Sequence, residues 1–276
     1  MTTLTRRVLP GFRLSLGITL VYAAIIIMLP LAALIFKAAS LGPVDYWRIV
    51  SSERAVASYM VTVGSALVAT LFNLVFGLAL AWVLVRYRFP GRRIIDALVD
   101  LPFALPTAVA GISLTTLFAT NGWFGSVLSQ IGVKVAYTPL GIMVAMAFTS
   151  LPFIVRTVQP VLEELDPALE EAGQTLSAGD WSIFRRVILP LLAPALLAGT
   201  SLAFARSLGE FGAIIFIAGN QPFETEITAL LAFIRLEEYD YPAAAAIASV
   251  MLIAAFVMLA VTNILQARAL RYTVKG

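Results

Sequence analysis

An all-α, polytopic membrane fold with six transmembrane helices follows from three features of this sequence. The 276-residue chain is 60% hydrophobic and only 13% charged, whereas soluble domains run about 45–50% apolar and about 25% charged. Stretches long enough to cross a bilayer without a single charge recur along it. The gaps between those stretches alternate between rich and poor in Arg and Lys. Other classes fall away on composition. With no Cys there is no disulfide scaffold or thiol nucleophile, and with no His the commonest general base and metal ligand are missing. No cofactor or metal is expected, and a net charge of +3 gives no footprint for nucleic acid.

A charge at mid-bilayer is costly, so charge-free windows act as a ruler. They cover 14–36, 55–85, 101–133, 135–155, 187–205, 211–223 and 241–267. A spanning helix needs about 20 apolar residues, and all but 211–223 qualify or come within reach. That short window contains Gly212, Gly219, Asn220 and Pro222 and is expected to be irregular backbone after a span, not a seventh helix. The spans are therefore predicted near 14–36, 58–85, 98–119, 136–156, 187–209 and 243–266, in one membrane domain with a cytoplasmic loop over 157–186. Arg6 and Arg7 precede the first window, but at 23 residues it exceeds the roughly 7–15 residues of a signal-peptide core. It is expected to be a retained helix.

The basic residues fix the parity. With both termini inside, the segments 1–13, 86–100, 156–186 and 268–276 hold thirteen of the nineteen Arg and Lys. The outer segments hold five, namely Lys37, Arg48, Arg54, Lys134 and Arg235, and Arg206 is left within a span. This positive-inside bias favours an even number of crossings with both termini cytoplasmic.

The chain lacks the means to hydrolyse ATP. A P-loop requires Gly-Lys followed by Ser or Thr, and none of Lys37, Lys134 and Lys275 has that context. A Ser/His/Asp triad is impossible without His. The adjacent glutamates 163/164, 170/171 and 237/238 do not face one another on a helix and are read as solvated charges.

The loop between the fourth and fifth spans carries the most information. Asp166 before Pro167 is a good N-cap and first-turn pair, and Glu170 and Glu171 then sit where the helix dipole favours anions. Leu169, Ala172, Gly173 and Leu176 recur at i, i+3, i+4 and i+7, making one narrow face with small residues. Gly179 is expected to end this helix and Asp180 to cap the next. Helices that lie on a membrane surface usually carry Lys and Arg. This one carries Glu, so its face is expected to dock on a protein partner.

The run Glu171-Ala172-Gly173-x3-Ser177-x9-Val187-x-Leu189-Pro190 resembles the EAA loop of ABC-importer permeases, Glu-Ala-Ala-x3-Gly-x9-Ile-x-Leu-Pro, with Gly173, Ser177 and Val187 departing from it. The stretches Arg7–Phe12, Arg86–Gly111, Arg206–Asn220 and Tyr239–Ser249 resemble the T-type permeases of bacterial sulfate/thiosulfate importers. The Gly-Glu-Phe-Gly core at 209–212 is shared with molybdate permeases. The resemblance implies a type I ABC importer permease fold in the bacterial inner membrane. It also implies a heterodimer with a sister permease, a cytoplasmic ATP-binding subunit dimer that engages Leu169, Glu170, Glu171, Ala172, Gly173, Leu176 and Ser177, and a periplasmic sulfate/thiosulfate-binding protein.

Within the spans, Arg206 and Glu210 are an oppositely charged pair at i, i+4, expected on one helix face. Two readings stay open: a self-neutralised structural pair, or a positive potential offered to a passing dianion. Gly209, Gly212, Gly219 and Asn220 mark broken helix whose free N–H groups could meet an oxyanion. Pro102, Pro106, Thr107 and Gly111 mark a similar break in the third span, and Thr149, Ser150 and Pro152 are weaker pathway candidates in the fourth. The expected activity is translocation of sulfate, with thiosulfate, from periplasm to cytoplasm. The alternatives are a molybdate or tungstate permease, a self-contained secondary transporter, which should show half-chain repeats and an intramembrane carboxylate, or a membrane enzyme, disfavoured by the missing His and Cys.

Overall fold

The computed structural model describes residues 12–273, with side chains apart from positions 13, 263 and 265–273. Arg6, Arg7 and Lys275, the segment 7–11 and the side chains of Arg13, Arg268 and Arg271 therefore lie outside the described residues. Among those residues the architecture is helical throughout.

The first crossing joins α1 (Phe12–Ala23) to α2 (Leu29–Ala39) through a π-helical turn, Ala24–Met28. A second π turn, Phe184–Ile188, joins the helical stretches Asp180–Ile183 and Leu189–Leu208. Each is followed at once by Leu-Pro, at Leu29-Pro30 and Leu189-Pro190. A proline ring clashes with the carbonyl four residues back, and widening the preceding turn relieves that clash without breaking the helix. After the short α3 (Pro43–Val50), Ser52 caps α4 (Glu53–Arg86), its hydroxyl accepting from the Ala55 N–H at 3.4 Å.

The helix predicted at 98–119 is not continuous. The segment forms α5 (Arg92–Val99), α6 (Leu101–Ala104) and α7 (Thr107–Phe118). Leu105 is extended, at φ −86° and ψ 135°, because a residue before proline is pushed out of the helical region, here by Pro106. Five helical stretches are long and apolar enough to cross a membrane, Leu14–Ala39, Glu53–Arg86, Pro139–Glu164, Asp180–Leu208 and Tyr241–Thr262, with Thr107–Phe118 as a shorter apolar helix.

The chain continues through α8 (Trp123–Gln130), α9 (Pro139–Glu164), α10 (Pro167–Thr175), α11 (Asp180–Ile183), α12 (Leu189–Leu208), α13 (Ile214–Ile217), α14 (Thr228–Glu237) and α15 (Tyr241–Thr273). The segment predicted as the cytoplasmic loop, 157–186, holds the last turns of α9, which runs to Glu164, then α10 and α11. Charge-free windows measure apolar length, and α9 passes straight through Arg156 because carboxylates from α5 satisfy it. Window 211–223 holds only the single turn of α13.

Helices α4, α9 and α12 pack together at the centre, with α15 against α12, α14 and α2. The buried face of α4 reads Ser58, Thr62, Ser65, Ala66, Ala69, Thr70, Asn73, Gly77 and Ala81. Small side chains let helix axes approach closely, and in a membrane packing and interhelical hydrogen bonds replace the hydrophobic drive. The Asn73 amide accordingly donates to the Ala147 carbonyl at 2.8 Å and to the Ser150 hydroxyl at 2.9 Å on α9.

Candidate functional site

Two regions concentrate the candidate residues, one at each end of α12. The first is the loop 165–179. Asp166 caps α10, accepting from the Ala168 N–H at 2.9 Å, with Pro167 following. The helix ends at Thr175 with Leu176 as its C-cap, and the residue that turns the chain is Ser177, not Gly179. Ser177 adopts the left-handed conformation (φ 55°), the Ser177 N–H donates to the Gln174 carbonyl at 2.8 Å and the Ala178 N–H donates to the Gly173 carbonyl at 3.1 Å. This is a Schellman closure, and it explains the residue type: where the resembling pattern has Gly, the backbone needs positive φ, and this chain fills that position with Ser. Gly179 instead stands extended as the N-cap of α11, with Asp180 its first residue.

The face predicted from Leu169, Ala172, Gly173 and Leu176 is divided. Leu169, Ala172 and Leu176 are exposed, Leu176 to 83%, but Gly173 turns inward. A Cβ added there would stand 2.9 Å from Ile183 Cγ1, so the glycine seats α10 on α11. Glu170 and Glu171 also separate. Glu171 is exposed, whereas Glu170 forms an ion pair with Arg86 at the end of α4, and that guanidinium lies 5.4 Å from the Trp82 ring centroid. The arrangement presents an apolar, acidic tip outward while tying α10 to α4 through charge and to α12 through α11.

The second region follows α12. Arg206 Nη1 lies 2.7 Å from Glu210 Oε2, but not along one helix face. The helix ends at Leu208 with Gly209 as its C-cap. Glu210, 1% exposed, sits beyond that end and accepts from the Ala213 N–H through Oε1 at 2.9 Å. The arginine is 30% exposed, so the pair couples an accessible cation to a sealed carboxylate.

Of the predicted pathway residues, Thr107, Gly111 and Gly212 meet. A Cβ on Gly111 would be 2.4 Å from the Ala213 carbonyl oxygen, and one on Gly212 would be 2.2 Å from Thr107 Oγ1. These glycines let α7 lie directly on the 210–213 backbone. Pro102 and Pro106 break the chain leading into α7. Gly219 (φ 77°) and Asn220 (φ 55°) turn the chain after α13, and the Asn220 amide donates to the Ile215 carbonyl at 2.8 Å. Thr149 and Ser150 do not join this group. They are buried within α9, where both hydroxyls donate to the Met146 carbonyl, at 3.3 and 2.6 Å, and Pro152 is buried on the same helix.

Two charged assemblies carry no signal in residue spacing, because their partners are distant in sequence. Arg156 donates to Asp100 at 2.8 and 2.7 Å, to Asp96 Oδ1 at 2.6 Å and to the Asp96 carbonyl at 2.7 Å, clamping α5 against α9. Arg54 donates to Glu226, 1% exposed, at 2.8 and 2.6 Å. Every such contact joins residues that the charge bias assigns to one side: Arg86 with Glu170, Arg156 with Asp96 and Asp100, Arg54 with Glu226.

The family "binding-protein-dependent transport system inner membrane component" matches residues 73–271. The sulfate transport system permease protein CysT of Escherichia coli strain K12 is 58% identical over 96% of this chain and 95% of its own. The protein of that name from Synechocystis is 49% identical over 92% and 89%. A solved bacterial ABC transporter that imports the acidic polysaccharide alginate matches with a TM-score of 0.75 at 18% identity, over 94% of this chain and 96% of that one. The MetNI methionine transporter, in an inward-facing conformation, matches at a TM-score of 0.61 and 18% identity over 79% of this chain and 99% of that one. These structures share the fold alone. With the family model matched over residues 73–271 and relatives aligned almost end to end, this chain belongs to the inner-membrane permease components of binding-protein-dependent transport systems.

Proposed function

We propose that this chain is the translocation subunit of an ATP-driven importer that moves sulfate, and with it thiosulfate, from periplasm to cytoplasm. The observation that carries the substrate is the near-full-length likeness to sulfate permeases, at 58% and 49% identity. Six crossings are completed by the broken segment formed by α6 and α7, with both termini in the cytoplasm. The chain pairs with a sister permease, receives the anion from a periplasmic binding protein and rests on an ATP-binding subunit dimer.

In this reading the exposed tip Leu169, Glu171, Ala172, Leu176 docks on the ATPase. Closure of that dimer displaces α10 as a rigid body, because Glu170 is tied to Arg86 and Gly173 is seated on Ile183. The movement passes into α4 and α12. Arg206, at the far end of α12, presents positive charge to the dianion, while Glu210 holds the guanidinium in place and weakens its grip enough for release. Backbone around Gly209 and Gly212, next to Thr107, forms the adjoining wall. The test is uptake in a strain lacking its own sulfate permeases, with sulfate, thiosulfate and molybdate in competition. Sulfate uptake competed by thiosulfate supports the proposal, and uptake competed only by molybdate overturns it.

A further inference from the structure

Three arginines near the start of α5, Arg88, Arg92 and Arg93, line an open cleft of about 380 Å³ together with Phe89, Gly91 and Ile94. Among the described residues, none of the three has a carboxylate within ion-pair distance, in contrast to Arg54, Arg86, Arg156 and Arg206. The cleft sits at the N-terminus of an eight-residue helix whose first turn holds no acidic residue and whose cap, Gly91, is left-handed with no side-chain cap. The first-turn N–H groups of Arg92 and Ile94 already donate to the Phe89 and Gly91 carbonyls, at 3.3 and 2.9 Å, so the positive potential of the cleft comes chiefly from the three guanidinium groups, with the helix dipole in support.

The same helix is strongly two-sided. Ile94, 67% exposed, and Leu98, 55% exposed, lie one turn apart on the outer face. Asp96 and Asp100 follow each of them by two residues, on the opposite face, and hold Arg156. We infer that Arg88, Arg92 and Arg93 form a binding site for the phosphate of an anionic phospholipid, with Ile94 and Leu98 against its acyl chains. A free tetrahedral oxyanion shares the headgroup chemistry, but the apolar face beside the cleft favours a ligand with a hydrocarbon tail. Because α5 is clamped to α9 through Arg156, a lipid held there braces the break that leads into α7.

The test uses the assembled complex in nanodiscs containing phosphatidylcholine with or without phosphatidylglycerol, with lipid retained after mild detergent release read by native mass spectrometry. The wild type should retain phosphatidylglycerol in preference to phosphatidylcholine. Each basic residue at an anionic surface is worth about fivefold in affinity, so R88Q/R92Q/R93Q should weaken retention on the order of a hundredfold. The corresponding triple lysine variant, which keeps the charge, should retain most of it. R185Q/R186Q, which removes two exposed arginines elsewhere, should match the wild type. Equal retention by the triple glutamine variant, or equal loss in R185Q/R186Q, overturns the site. Displacement of the lipid by millimolar phosphate or sulfate would assign the cleft to a soluble oxyanion and overturn the lipid assignment.

Discussion

Glu210 reaches back across the end of α12 to Arg206, at 2.7 Å, while its second oxygen ties down the Ala213 N–H. One buried carboxylate thus fixes both a cation and the backbone on which α7 rests. Removing one member of a buried pair typically costs about 3–5 kcal/mol, whereas replacing both can be nearly neutral. Arg206→Met should therefore lower the thermal stability of the assembled complex more than Arg206→Met/Glu210→Gln does, because Gln keeps an acceptor for Ala213. If Arg206 serves the anion, the double variant assembles and hydrolyses ATP but moves little sulfate. Near-native uptake by the double variant leaves the pair structural.

The tip of α10 should fail by a different route. Leu176→Asp places a charge on a residue that is 83% exposed, so insertion and monomer folding should be unaffected while ATPase co-purification and uptake are lost. Gly173→Leu should lose uptake as well, through collision with Ile183. Normal uptake by Leu176→Asp in an assembled complex would remove α10 from the docking surface.

Ser177 offers a stabilising change. A left-handed conformation costs a non-glycine residue roughly 1–2 kcal/mol, so Ser177→Gly should slow amide exchange around residues 174–178 and raise the melting temperature slightly. Ser177→Val should do the reverse, since a β-branched side chain fits that conformation worst. Faster exchange in Ser177→Gly would contradict the geometry of the closure.

Two helical glycines should respond oppositely to alanine. Gly64 has open space where a Cβ would stand, and Gly64→Ala should be neutral or mildly stabilising. In Gly111→Ala the added methyl lies 2.4 Å from a backbone oxygen, and overpacking of this kind costs about 1–3 kcal/mol or more. Detergent melting curves that show equal stability for the two variants would place α7 elsewhere.

Sidedness is open to a clean test, because the chain contains no Cys. In whole cells, Ser51→Cys should react with an impermeant thiol reagent, and Thr175→Cys only after permeabilisation. Reversed reactivity would invert the topology.

The sequence by itself determined the membrane class, the cap at Asp166 and the family. These rest on local quantities: apolar length, charge asymmetry, capping chemistry and a contiguous motif. The irregular 211–223 segment was legible for the same reason, in its glycines, its asparagine and its proline. Tertiary structure alone decided that Glu170 turns to Arg86, that Gly173 faces Ile183 instead of a partner, and that Arg206 and Glu210 meet across a helix end. It also decided where Arg156 and Arg54 find their carboxylates, 56 and 172 residues away. The break in the third crossing lay between these cases. Pro106 announces it, but a proline can bend a helix or end it, and here the close approach of α7 to the 210–213 backbone through Gly111 and Gly212 accompanies a complete break. A spacing rule reports which residues share a face of their own helix. Which neighbour that face meets depends on chain far away in sequence, where the partner of each buried charge is found.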